Sequence, residues 1–100
     1  MLVTLYGDAK EAQPYLEGHY FLQTDPVNKN PCWFNDKNAI WAHKKHGWWM
    51  IGAKKDLGDF TFGIISTDNV EDPLQALTWK YRECGMHESK DIFVTKAGNL

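Results

Sequence analysis

The sequence predicts an all-β domain, and three observations carry that expectation. Seven short segments rich in aromatic or β-branched residues follow one another at roughly ten-residue spacing between His19 and Lys96. Such even spacing is the rhythm of successive strands. Turn signals punctuate them, including Asp25-Pro26, Asn30-Pro31, Asn35-Asp36-Lys37-Asn38 and Leu57-Gly58. The middle pair, Ala39 to Lys44 and Trp48 to Ile51, brackets a turn ending in Gly47 and reads as a β-hairpin. The expected architecture is a small twisted antiparallel meander of 6–7 strands, barrel-like or two-layer. A single domain over 1–100 would carry an irregular segment at 1–17 ahead of a β core at 18–96.

Element by element, Val3 to Tyr6 suits a strand, and Asp8 is a candidate N-cap for a helical turn that Pro14 keeps short. His19 to Gln23 reads as the first core strand and Cys32 to Phe34 as the second. After the central hairpin, Phe60 to Ile65 reads as the fifth strand. Asp72-Pro73 is a helix-start signature, Asp at the cap and Pro at the first helical position, which predicts a short helical turn near 73–77. Thr78 to Arg82 and Asp91 to Thr95 complete the series.

The hairpin register follows from its glycine. A two-residue Lys45-His46 turn would need positive φ at both residues, whereas a three-residue loop needs a left-handed residue only at its end, which Gly47 supplies. That register pairs Lys44 with Trp48. It places Trp41, His43, Trp49 and Ile51 on one face and Ile40, Ala42, Lys44, Trp48 and Met50 on the other. Neighbouring strand residues face opposite ways, so Trp48 and Trp49 do not share a core. Trp49 is expected in the core and Trp48 at least partly exposed.

Composition bounds the partners. Lys and Arg number 11 against 13 Asp and Glu, a net charge of −2, which is not the basic footprint of a nucleic-acid binder. Lys44, Lys45, Lys54 and Lys55 flank the hairpin and suit the defence of a strand edge. No stretch approaches the ~20 apolar residues of a membrane span. Met1 to Tyr6 has no basic flank and is too short for a secretory leader, and no pattern assigns a compartment. Fourteen aromatic residues, five of them Trp, exceed the roughly ten that a two-layer core of this size would absorb. The surplus rings are candidates for a binding face. Cys32 and Cys84 either close a loop of about 50 residues, stabilising by roughly 4 kcal/mol, or remain two thiols acting as small hydrophobes.

The spaced residues Gly18-x-Tyr20, Asn30-Pro31-x-Trp33, Ile40-Trp41, Trp49-x-Ile51-Gly52, Leu57-Gly58, Pro73 and Trp79-x-Tyr81 resemble a short aromatic-rich β module. That module recurs, often in several copies, in large multidomain proteins of protists and invertebrates. The resemblance covers residues 16–95 and rests mostly on structural aromatics, prolines and glycines. It implies a small β module without catalytic residues of its own, with Trp49 and Ile51 in the core. Trp48, beside the single tryptophan the pattern asks for, is then the extra ring.

Chemistry-bearing constellations are sparse. His43-x-x-His46 and Cys84-x-x-His87 supply four ligand types that zinc accepts, but not the paired-cysteine knuckle of structural sites. Cys84, His87 and Glu88 are too close in sequence to be held as a catalytic triad. Paired carboxylates such as Asp56 with Asp59 sit in turns, where Asp is favoured for backbone reasons. No metal or cofactor is therefore expected. The expected function is a non-catalytic binding module using an aromatic sheet face, centred on Trp48, Lys44 and Met50, with Trp33 as the next place to look. Protein or peptide partners stand ahead of carbohydrate, and nucleic acid and membrane insertion are not expected. The alternative is a structural or accessory subunit whose aromatic face is buried in a larger assembly.

Overall fold

The computed structural model describes residues 1–96. Its strands are β1 (Leu2–Leu5), β2 (Gly18–His19), β3 (Phe21–Leu22), β4 (Trp33–Phe34), β5 (Asn38–Ala42), β6 (Trp49–Ala53), β7 (Ile64–Ser66), β8 (Trp79–Arg82), β9 (Met86–Ser89) and β10 (Ile92–Thr95). Helix α1 spans Gly7–Ala12, and 3-10 turns cover Pro14–Leu16, Lys54–Asp56 and Pro73–Gln75. Strands β3 to β9 form a seven-stranded antiparallel meander in chain order, while β10, β1 and β2 form a three-stranded antiparallel sheet with β1 at its centre. The all-β, two-layer expectation holds.

Two stretches of chain change sheet. Tyr20 separates β2, paired with β1, from β3, paired with β4; its own N–H donates to the Met1 carbonyl at 2.7 Å. Likewise β9 pairs with β8 and, two residues later, β10 pairs with β1. Pairing lapses at both corners, so the sheets fold over one another without closing into a barrel. Between them lies the larger core, which includes Val3, Leu5, Tyr20, Trp49, Trp79 and Ile92.

A second core covers the opposite face of the meander. Alternation along β5 and β6 sends Ile40, Ala42, Trp49 and Ile51 inward, and Ala39, Trp41 and Met50 outward. The outward set packs with Cys32 and Ile65 beneath Val27 and Leu57. Two of the three buried indoles meet loop carbonyls: Trp41 Nε1 donates to Asp59 at 2.9 Å and Trp49 Nε1 to Val70 at 2.8 Å. Asn28, at φ +54°, starts the tight turn with Lys29 and donates to the carbonyls of Ala42 (2.8 Å) and Gly58 (2.9 Å). These bonds hold the covering loops against the sheet.

The hairpin register differs from the expected one by one residue. Ala42 pairs with Trp49, and His43 N–H donates to the Trp48 carbonyl at 2.7 Å. The loop is therefore the four residues Lys44 to Gly47, and Trp48 stands opposite His43 rather than Lys44. Trp41 consequently shares a face with Met50, not with Trp49. Gly47 is left-handed as required, at φ +68°, but a left-handed last residue serves a four-residue loop equally well. His43 Nδ1 accepts the Lys45 N–H at 3.1 Å, which supports the extra loop residue.

Other boundaries moved for identifiable reasons. The segment expected to be irregular supplies β1 and α1, and Val3, Leu5, Ala9 and Leu16 are buried. Helix α1 has Tyr6 at its cap position with no side-chain cap, and Asp8 lies in its first turn. The expected strand Phe60 to Ile65 forms only from Ile64, because Thr61 turns inward and its hydroxyl accepts the Gly63 N–H at 3.3 Å. The turn at Pro73–Gln75 forms with Asp72 as its cap and a reciprocal bond from Gln75. Cys32 is buried, Cys84 is exposed, and both are free thiols. Among the described residues, no helix is long and apolar enough to cross a membrane.

Candidate functional site

The fold does not bring the four residues expected at a binding face together on one exposed surface. Met50 is 0% exposed and belongs wholly to the second core. Lys44 is exposed and pairs with Asp59 at 3.1 Å. Trp33 is half-buried against the larger core, its ring 5.9 Å from that of Trp49. Trp48 is half-buried on the second core, and its ring stacks on His46 at 4.4 Å and 22°. His46 stacks in turn on His43 at 5.4 Å and 16°. The hairpin tip thus places its own imidazole against Trp48.

The concave surface lies elsewhere, between the N-terminal segment and the meander. Pro14 begins the 3-10 turn that places Tyr15 outward and Leu16 inward. Tyr15 is 84% exposed and stands between two hollows of about 240 and 380 Å³. Phe62, 62% exposed, lines the first hollow with it. Leu16, Gly52, Thr61 and Gly63 also line this hollow and pack closely on one another. A Cβ at Gly52 would lie 1.9 Å from Thr61 Oγ1, and one at Gly63 would lie 2.4 Å from the Ile51 carbonyl. Both positions therefore require glycine for space.

The lips are held in place. Gln13 Nε2 donates to the Arg82 carbonyl at 2.8 Å and to the Phe62 carbonyl at 3.3 Å, joining the N-terminal segment to the far wall. Asn38 Nδ2 donates to the Tyr15 carbonyl at 2.7 Å. Phe62 packs edge-on to Phe60 at 5.7 Å, with the Arg82 guanidinium 4.7 Å over its ring. Beyond Tyr15, Asn35 Oδ1 accepts the N–H groups of Lys37 (3.3 Å) and Asn38 (2.8 Å), shaping the turn that bounds the second hollow. Asp36 and Asp56 line the hollows with Lys37 and Lys55, and the Arg82 guanidinium adds a positive charge at the Phe62 lip.

The groups that sequence singled out for chemistry stay apart. His43 and His46 are on the β5–β6 hairpin and Cys84 and His87 on the β8–β9 hairpin, and no three His, Cys, Asp or Glu side chains converge among the described residues. Burial raises the pKa of the Cys32 thiol, and Asp25 adds to the shift, which keeps it protonated and donating to the Asp25 carbonyl at 3.4 Å.

Sequence reasoning missed Tyr15 and Phe62. Tyr15 lies in the segment expected to be irregular, and Phe62 lies inside the expected strand Phe60 to Ile65. One signal was present: Gly63 inside an apparent strand marks a bulge or a close backbone approach. Of the residues that carry the resemblance, Tyr20, Ile40, Trp41, Trp49, Ile51, Gly52, Pro73, Trp79 and Tyr81 are buried, whereas Gly18, Asn30, Trp33, Leu57 and Gly58 are half-buried and Pro31 is exposed. No protein-family model, no curated protein and no solved structure matches this chain.

Proposed function

We propose that this domain is a non-catalytic binding module whose ligand lies in the groove between Tyr15 and Phe62. The observation that carries the reading is the pair of solvent-facing rings, 84% and 62% exposed, on the fixed lips of a concave surface. Solvent exposure of two rings at one groove costs the fold apolar burial and suits a ligand with an apolar face. Among the described residues, no Ser, Cys or His lines the groove to act as a nucleophile–base pair, which supports binding rather than turnover.

A screen of peptide-display and glycan arrays tests the reading. Wild-type hits should vanish with the double variant Tyr15→Ala/Phe62→Ala, whose melting temperature should stay within a few degrees of wild type because both rings are exposed. Hits retained at full strength by that variant would remove the groove from consideration.

One observation favours the second reading, an accessory subunit. Tyr6 and Phe93 form an exposed edge-on pair at 5.8 Å on the outer face of the three-stranded sheet. In that case Phe93→Glu would abolish incorporation into the larger assembly and Tyr15→Ala would not.

A further inference from the structure

We propose that the tip of the β5–β6 hairpin is an acid-sensitive cover for Trp48, opened by a proton on His43. The inference does not depend on what the groove binds.

The tautomer of His43 comes first. Its Nδ1 accepts the Lys45 N–H at 3.1 Å, and a backbone N–H can only donate. Nδ1 therefore holds its lone pair, and the neutral ring carries its hydrogen on Nε2. A further proton has to go to Nδ1, the basic nitrogen of that ring. Two N–H groups then face each other, and the bond that ties Lys45 to the ring is lost. The two ends of the loop keep their own bonds, from His43 N–H to the Trp48 carbonyl at 2.7 Å and from Gly47 N–H to the His43 carbonyl at 3.0 Å. The change therefore falls on the tip, Lys44 to Gly47, and not on the strands.

The surroundings of His43 oppose its protonation while the tip is closed. Among the described residues, the groups acting on it are His46, Lys44 and Lys45 of its own hairpin and Asp59 of the loop before β7. Asp59 is the one carboxylate among them, and it already pairs with Lys44 at 3.1 Å. Burial, then His46 and Lys44, hold the His43 pKa below its usual value. A ring that leaves the tip escapes both, so proton binding and opening favour one another.

The stack carries the event to Trp48. His46 stacks on both other rings, 5.4 Å from His43 and 4.4 Å from Trp48, with interplanar angles of 16° and 22°. Departure of His43 removes one of the two rings on which His46 rests. A proton on His46 itself acts in the opposite sense, because a cation is attracted to an indole face. That assigns the trigger to His43. Trp48 packs on the second core, so it stays anchored there and gains exposure on its His46 side.

The test is hydroxyl-radical footprinting with mass spectrometry of the ligand-free domain at about pH 7.5 and about pH 5, on either side of the histidine range. The proposal expects oxidation of Trp48 to rise at the lower pH while the buried Trp41 and Trp49 stay protected. Tyr15, exposed throughout, serves as the dose control. His43→Gln should abolish the rise, and so should His43→Phe, which keeps a ring against His46 and takes no proton. In 15N spectra of the wild type, the Lys45 amide should shift with a midpoint below pH 6.5 as its acceptor is lost. Equal oxidation of Trp48 at the two pH values in the wild type would overturn the proposal. A rise that survives both His43 variants would also overturn it, by pointing to another titrating group. So would a rise that Trp41 and Trp49 share, which would mean unfolding of the whole domain rather than opening of the tip.

Discussion

Trp48 and Trp49 are adjacent in the chain and belong to different energetic classes. Trp49 is 1% exposed, packs in the larger core and satisfies its indole N–H on Val70. Its truncation to Ala is expected to cost about 3–5 kcal/mol, a large share of the stability of a small domain. Trp48→Ala removes a half-buried ring stacked on His46 and should leave a cooperative fold. Urea melts of the two variants check this, and a larger loss for Trp48→Ala would contradict the packing described. His43 gives the hairpin a pH dependence. Burial lowers its pKa below 6.5, and His46 and Lys44 push the same way while Asp59 opposes them. A histidine with a depressed folded-state pKa contributes stability in full above the unfolded value of 6.5 and loses it as pH falls below. The urea midpoint should therefore fall as pH drops from about 7 to about 5, and His43→Gln should flatten that slope. Glu17, whose carboxyl is held low chiefly by the Leu5 N–H, acts in a separate window below 4.5. A wild-type midpoint that rose on acidification through 6.5 would contradict the assignment.

At the scale of elements, the N-terminal segment matters more than its sequence suggested. Among the described residues, strand β1 is the only partner of β10 and of β2 within their sheet, and Val3, Leu5 and Ala9 have no exposed surface. Deletion of residues 1–14 is expected to abolish cooperative unfolding, read by circular dichroism during a thermal melt. A truncated domain that still melted sharply would show that the seven-stranded meander folds alone. The strands legible in sequence were those with bulky apolar residues, such as β5, β6, β8 and β10. Strand β9, Met86–Ser89, is polar and mostly exposed, and its pairing with β8 follows from a Glu83-Cys84-Gly85 turn with positive φ at Cys84 and Gly85. No apolar alternation announced it. The bend at Tyr20 was equally hidden, because a strand that changes sheet keeps an unbroken apolar sequence.

For the molecule as a whole, the distribution of aromatic residues separates architecture from surface. The regularly spaced rings build two cores on the two faces of one meander, and their spacing made the fold class readable. The groove rings are irregularly placed, one after Pro14 and one beside Gly63, and come to one groove through long-range bonds from Gln13 to Arg82 and Phe62 and from Asn38 to Tyr15. Such a contact has no local signature, which is why the sequence pointed to the Trp48 hairpin instead. Hydroxyl-radical footprinting with mass spectrometry, with and without a ligand selected by the intact domain, tests the central claim most directly. The groove account predicts that bound ligand lowers the oxidation of Tyr15 and Phe62 and leaves Trp48 and Phe93 unchanged. Protection of Trp48 or Phe93 with Tyr15 oxidised as before would contradict it.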